Sequence, residues 1–597
     1  MNEHPQNSDP ESGVPGEVSV PTRVPMRPWL SHYSPGVPTS LDIPAKPLTW
    51  ILDQATQHYG ANTAITYYGT EISYLQLNSL VDRFAHALID LGLQRGERVS
   101  ICLPNVPQYP IAFFGVLRAG GVAVPTNPLY TAPELAHQLQ DSGAVMVITL
   151  DQFYPTLSTL WAETSLRQVI LASPADYFGP VLGALYRVSQ IREHRGAPPR
   201  GEPGNQRGHP GLHRFVDLIG HAYSRQGFTV FPLPEPASPS DVAVLQYTGG
   251  TTGVAKGAML THRNLLANAL QTGAWNEQEP GSKHTVLCVA PFFHVYGLTV
   301  CMTMSILQGW RLVLLPRFTI RETIRAIEKY KPDMFPGVPT LYLALAREAE
   351  RHQRDLRSIK VCISGSAPLP LEVQKRFEAI SGARVVEGYG LTESSPVTHC
   401  NPVFGDRRIG TIGLPLPETD AAIIDPETWE FLQPGEQGEI VVRGPQVMRG
   451  YWQRPEDSAQ VLRDGWLRTG DIGVMSEDGY FTVVDRAKDM IIAGGLKIFP
   501  RDVDEVLYQN PKVLEAAAVG VPDEYRGETV RAYVVVKPGE VLTAEELIDF
   551  CKERLAPYKV PKQVEFRKKL PKTLVGKVLR RTLRDEYIAE QAAARGS

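Results

Sequence analysis

Eleven residues, Tyr247 to Gly257, read Y-T-G-G-T-T-G-V-A-K-G and combine flexible backbone, three threonine hydroxyls and one ammonium group. Gly249, Gly250 and Gly253 accept positive φ, so main-chain N–H groups can converge on an anion with no Cβ in the way. Thr248, Thr251 and Thr252 add hydroxyl donors, and Lys256 adds a point charge. That composition suits a polyphosphate, although an ordinary Gly/Thr turn shares it. A Walker A loop is excluded, because Ala255 precedes Lys256 and Gly257 follows it where Gly-Lys-Ser/Thr is required.

A second run, Gly388 to Glu393 (G-Y-G-L-T-E), reads as one short loop holding an aromatic face, a hydroxyl and a carboxylate. Tyr389 suits stacking on a purine, Thr392 suits a phosphate, and Glu393 suits Mg²⁺. Further runs are Ser364–Pro368 (S-G-S-A-P), Asp464–Gly473 (D-G-W-L-R-T-G-D-I-G), Asp485–Asp489 (D-R-A-K-D), Gly494–Pro500 and Pro571–Arg581 (P-K-T-L-V-G-K-V-L-R-R). Singly, each has a plain structural explanation. Asp471 caps a turn, Arg486 pairs with Asp485 or Asp489, and Lys577 is a solvated lysine. His294, in P-F-F-H-V-Y-G, is a hydrogen-bonded core histidine.

The elements that must position these groups show in the periodicity. Leu77, Leu80, Val81, Phe84 and Leu88 recur at helical spacing between Ser73 and Leu91, and Val99–Leu103 reads as a buried strand. The alternation continues with a helix at Tyr109–Ala119, a strand at Val122–Pro125, a helix at Ala132–Asp141 and a strand at Val145–Thr149. It predicts a parallel, helix-covered sheet. The apolar run Val242–Leu245 predicts a strand that delivers the glycine loop at its end. After Glu418 short alternating segments predict a β-rich subdomain. Past Asp485, helix, strand, strand, helix and strand signals predict an α+β domain of about a hundred residues.

The expected fold is therefore α/β: a large N-terminal domain (26–484) of helix-covered sheets plus a small β-rich subdomain, hinged to a small α+β C-terminal domain (485–585). Residues 1–25 and 586–597 are expected as tails. Residues 176–240, rich in Pro, Gly and Arg, are expected as a surface insertion. A weak contact of that stretch with anionic lipid head groups, helped by the apolar run Tyr177–Tyr186, is the functional alternative.

At 597 residues the chain can build two or more cores. A net charge of -4 gives no electrostatic case for nucleic acid as a partner. The six cysteines form no C-x-x-C pair, which suits reduced thiols in a cytoplasmic setting. The first residues lack the cationic start and apolar centre of a signal peptide. The apolar run Gly297–Gly309 falls short of the roughly 20 residues a membrane span needs.

Taken in order and spacing, the motifs resemble the adenylate-forming superfamily over nearly the whole chain from Trp29 to Arg584. Within it they are most similar to bacterial long-chain fatty acid–CoA ligases. The D-G-W-L-R-T-G-D-I-G run and the segment Leu103–Gly143 carry that likeness. The resemblance implies ATP-dependent activation of a fatty acid to acyl-CoA through an acyl-adenylate, with ATP, Mg²⁺ and coenzyme A required. It implies that Thr248–Lys256 holds the departing phosphates, that Thr248 and Glu393 bind Mg²⁺, and that Gly365, Ser366 and Ala367 line the adenine site with Gly388, Tyr389, Gly390 and Thr392. Asp471 and Arg486 would bind ribose, and Lys577 would bridge the acid and the α-phosphate. His294 would wall the acyl site. Lys488 would be the hinge that brings Gly495 and Lys497 beside the CoA tunnel. Ile492 departs from the pattern, standing where a second lysine is frequent. A homodimer is a further implication, while a cytoplasmic location, peripheral on the inner membrane face, is the expectation that goes with the lipid contact of the 176–240 stretch. An acyl-AMP ligase, another carboxylic acid–CoA ligase, and a non-catalytic nucleotide-binding or lipid-uptake protein are the alternatives.

Overall fold

The computed structural model describes residues 27–192, 211–224, 233–248, 255–277, 281–486, 489–494, 496–523, 525–573 and 577–595. Residues 1–25, and with them the expected first tail, lie outside these.

The first sheet has seven strands in the order Gly211–Arg214, Gln168–Ala172, Met146–Leu150, Arg98–Cys102, Val122–Pro125, Val242–Tyr247 and Gly257–Thr261. Every neighbouring pair is parallel except the last. Its central strands are buried along their length, as a sheet covered on both faces requires. Helix Tyr74–Asp90 begins at a capping box formed by Ser73 and Gln76, and its Leu77, Val81, Phe84 and Leu88 are fully buried. Burying such side chains favours folding by roughly 1.5–3 kcal/mol each. Helix Gln108–Arg118 is buried from Gln108 to Leu117.

A second layer runs Thr70–Ser73, Thr63–Tyr67, Arg311–Leu314, Thr285–Cys288. Single-residue bridges at Met334 join it to the strands Val361–Ser364, Arg384–Gly390, Val397–Cys400 and Leu414–Pro415. A third, antiparallel sheet contains Asp420–Ile424, Gln437–Arg443, Trp466–Met475 and Phe481–Arg486. Beyond it, Ile491–Ala493, Leu496–Ile498, Val513–Asp523, Gly527–Val536 and Gln563–Phe566 form a separate five-stranded sheet. Helices Pro500–Gln509 and Ala544–Lys552 enclose a core of its own around Ile491, Val503, Leu507, Val534 and Leu547.

Three expectations need correction. The stretch 176–240 is not wholly a surface insertion: Gly211–Arg214 is an edge strand, and Phe215 is fully buried and stacks on Phe84 at 4.5 Å. Phe215 opens helix Phe215–Ser224, whose Leu218 and Ile219 follow at helical spacing and join the same core. The residues from 586 continue helix Arg580–Arg595, whose Tyr587 is buried beneath the Arg531 guanidinium at 4.6 Å. Finally, G-Y-G-L-T-E is not one loop. Gly388–Gly390 ends strand Arg384–Gly390, and Thr392–Ser394 forms a 3₁₀ turn.

All six cysteines are buried and unbridged. Burial pushes the Cys102 thiol up to about 12, so it is a packing group rather than a nucleophile.

Candidate active site

The glycine loop joins the antiparallel strands Val242–Tyr247 and Gly257–Thr261, and Tyr247 lies opposite Gly257. Thr248 N–H donates to Lys256 O at 3.0 Å, and Lys256 N–H reaches the Thr248 hydroxyl at 3.4 Å, which closes the neck of the loop. Gly249, Gly250, Thr251, Thr252 and Gly253 lie outside the described residues. At the neck, the Lys256 ammonium pairs with Asp457 at 2.7 Å and stands over the Tyr451 ring at 5.3 Å.

Tyr451 ties this neck to the second motif. Trp452 N–H donates to Gly257 O at 2.8 Å, the Tyr451 hydroxyl donates to Glu393 Oε1 at 2.7 Å, and Met448 N–H donates to Glu393 O at 2.7 Å. Burial, then the charge of Glu393, raises the Tyr451 pKa, so the hydroxyl stays a donor. The result is one ammonium, paired with Asp457, and the Glu393 carboxylate gathered around Tyr451 at the neck of the loop. Tyr451 was missed in the sequence; its only signal is an aromatic after the turn residues Arg449 and Gly450.

The other half of the G-Y-G-L-T-E run faces a different partner. Tyr389 donates its hydroxyl to Asp471 Oδ2 at 2.6 Å. Asp471 lies directly opposite Arg486 in the pairing of Trp466–Met475 with Phe481–Arg486, so the two sequence-predicted ribose residues are cross-strand neighbours. The Arg486 side chain, like Lys488 and Gly495, lies outside the described residues. Gly390 is glycine for a steric reason: a Cβ there would stand 1.9 Å from Pro396 O. Gly365 donates its N–H to Gly337 O at 3.1 Å and lies against the Tyr296 ring, and Ser366 adopts φ 66°. Gly337, in the turn P-G-V-P-T, is a second contact not singled out in the sequence.

His294 lies partly buried before the π-helical turn Gly297–Thr303, and its Nδ1 accepts from Tyr296 N–H at 3.2 Å. Burial lowers its pKa to about 4, so the ring is neutral at pH 7. Gly297 admits no Cβ, which would sit 2.2 Å from Pro291 O. The turn is buried throughout, with Leu298, Val300 and Met302 in the main hydrophobic core.

In the C-terminal lobe, Lys577 sits at the mouth of a short loop. Its N–H bonds the Thr573 hydroxyl at 3.1 Å, and Thr573 N–H bonds its carbonyl at 2.8 Å. Three residues on, Arg580 anchors the segment on Asp504 at 2.5 Å and on Ala518 O at 3.2 Å. Lys497 is exposed on the hairpin of Ile491–Ala493 and Leu496–Ile498, where its charge acts on Asp425. Among the described residues no group of three or more His, Cys, Asp or Glu could hold a metal ion.

Two groupings thus flank the G-Y-G-L-T-E run: Lys256, Tyr451 and Glu393 at the neck of the glycine loop, and Tyr389 with Asp471 on the other side. Residues 52–452 match the model for the AMP-binding enzyme family, and residues 502–577 match that for the AMP-binding enzyme C-terminal domain. The chain belongs to the AMP-binding enzymes. A long-chain-fatty-acid–CoA ligase of Bacillus subtilis (strain 168) is 46% identical over 561 residues, covering 94% of this chain and 98% of the relative. Among solved structures, ATP-bound MatB from Rhodopseudomonas palustris superimposes with a TM-score of 0.78 at 28% identity, covering 91% of this chain and 99% of that one. The anthranilate CoA ligase AuaEII in complex with anthranoyl-AMP gives 0.79 at 26% identity, covering 93% and 99%.

Proposed function

We propose that this chain is a fatty acid–CoA ligase of the long-chain class, which uses ATP to convert a fatty acid to its acyl-adenylate and then to acyl-CoA. The observation that carries the reading is the Lys256–Tyr451–Glu393 grouping at the neck of the glycine loop. It collects a cation, a carboxylate and hydroxyls where a triphosphate would lie. The near full-length likeness to long-chain-fatty-acid–CoA ligases supplies the substrate class.

In the first half-reaction the substrate carboxylate attacks the α-phosphorus of ATP, and pyrophosphate leaves. Two anions must meet, so fixed donors must offset the growing charge. Thr248–Lys256 binds the departing phosphates; Gly365, Ser366, Ala367 and Tyr389 take the adenine, Asp471 and Arg486 the ribose. Lys577 spans the acid and the α-phosphate. The Glu393 carboxylate with the Thr248 hydroxyl is an oxygen pair that suits Mg²⁺, an ion that keeps waters and substrate phosphates among its ligands and offsets their charge. In the second half-reaction the CoA thiol attacks the acyl carbonyl and AMP leaves. The domain division at 484/485 and a hinge at Lys488 belong to this reading: rotation withdraws Lys577 and brings Gly495 and Lys497 to the thiol.

Replacing Lys577 with alanine is expected to slow acid-dependent ATP–pyrophosphate exchange by about a hundredfold. Thioester formation from presupplied acyl-adenylate is expected to survive. An equal fall in both half-reactions would refute the role given to Lys577.

A peripheral contact with the inner membrane face, from a cytoplasmic location, belongs to the same reading. Its support is helix Pro180–Arg192, which exposes Val181, Leu182 and Leu185. No helix among the described residues is long and apolar enough to cross a membrane. A homodimer is the assembly this reading expects.

A further inference from the structure

Arg501 begins the helix Pro500–Gln509 of the C-terminal lobe, yet its side chain reaches back across the boundary between the lobes. Its guanidinium donates to Val483 O at 2.5 Å, on strand Phe481–Arg486, and to Glu505 at 3.1 Å within its own helix. Its N–H donates to Asp485 Oδ2 at 2.8 Å. The side chain is only 14% exposed, so this is not a solvated surface arginine.

Behind it lies Glu387, 8% exposed, on the strand that continues into Gly388 and Tyr389. Burial pushes the Glu387 carboxyl up to about 7, and the Arg501 charge is the strongest influence holding it down, followed by a hydrogen bond from Leu369 N–H; Glu505 acts in the opposite direction. A buried carboxylate that loses its cation becomes costly. Arg501 therefore ties its helix to the end of strand Phe481–Arg486, and its charge acts on the strand that carries Tyr389. The guanidinium contact to Val483 O and the main-chain N–H contact to Asp485 involve residues that precede Lys488, whereas Arg501 follows it. Rotation about that segment would break them.

We propose that Arg501 is a positioning residue that biases the C-terminal lobe toward the orientation serving acyl-adenylate formation, by tying helix Pro500–Gln509 to Val483 O through its guanidinium. A contact made in one of two orientations shifts their populations by its own free energy. The proposal rests on the two-orientation reading given above. Nothing in the chemistry requires Arg501 to touch substrate; it acts through the placement of Lys577.

The test measures each half-reaction separately in the full chain, as acid-dependent ATP–pyrophosphate exchange and as thioester formation from presupplied acyl-adenylate and CoA. Arg501→Gln is expected to lower the first about tenfold, within the usual range of coupling between sites, and to leave the second unchanged or faster. Arg501→Lys keeps the charge but not the forked geometry, and is expected to restore part of the loss. In a Glu387→Gln background the effect of Arg501→Gln is expected to shrink, since the carboxylate on which the Arg501 charge acts is then gone. An equal fall in both half-reactions, or no change in either with both Arg501 variants, overturns the proposal. Lys577→Ala run alongside separates the failures. If it splits the half-reactions and Arg501→Gln does not, only the role of Arg501 is wrong. If neither variant splits them, the two-orientation reading falls and the proposal with it.

Discussion

At the scale of single residues, burial decides which groups carry charge. His262 is 2% exposed, and its Nδ1 accepts from Leu48 N–H at 3.1 Å, a bond that exists only while that nitrogen is unprotonated. Burial lowers its pKa to about 4 from the usual 6.5. Between those two values the unfolded chain binds the proton and the folded chain does not, so the contribution of this site to stability is lost as pH falls from about 6.5 toward 4. His294 and His399 act in the same sense, while the raised carboxyls of Glu387 and Asp504 act in the opposite one. A comparison with a variant therefore isolates the site better than the parent curve alone. His262→Gln, whose amide oxygen can accept the same bond, is expected to flatten the stability–pH slope by up to about 1.4 kcal/mol per pH unit in that window. Denaturant titrations of both proteins at several pH values would show it, and parallel slopes would contradict it.

At the scale of elements, the site depends on close approach between backbones. Strand Arg384–Gly390 and strand Val397–Cys400 converge so tightly that a Cβ at Gly390 would lie 1.9 Å from Pro396 O. Backbone, unlike a flexible side chain, cannot give way cheaply. Gly390→Ala is expected to destabilise the fold by about 3 kcal/mol, the upper part of the usual overpacking range, and, under the proposed function, to weaken nucleotide binding because Tyr389 immediately precedes it. Gly179→Ala, at a position with open space around it, is the control and is expected to stay within about 0.5 kcal/mol. Thermal melts with and without ATP check both. The helices and strands named here were largely legible in the sequence: the expected helix within 73–91 is observed as Tyr74–Asp90, and the expected strand 122–125 as Val122–Pro125. Their periodicity is set by neighbours within one or two turns, so a local pattern suffices. The edge strand Gly211–Arg214 was not legible, because its place is fixed by pairing with Gln168–Ala172 rather than by its own four residues.

At the scale of the whole molecule, the two lobes have separate cores, and the proposed reaction asks the segment joining them to turn. Lys488→Pro fixes φ and removes a donor. It is expected to spare pyrophosphate exchange and to abolish acyl-CoA formation; unchanged overall turnover would show that no hinge acts there. The sequence by itself determined the chemistry available: a hydroxyl- and glycine-rich loop with Lys256, the acids Glu393 and Asp471, and Lys577 in an order that resembles one superfamily. Residue type and spacing along the chain carry that information, because each motif is a contiguous piece of backbone. Only the tertiary structure decided which of these groups meet. Tyr451 reaches Glu393 across 58 residues of sequence, Tyr389 reaches Asp471 across 82, and Arg501 reaches back to Val483 across the lobe boundary. Those pairings depend on strand register and on how sheets pack, which long-range contacts set and no local window contains.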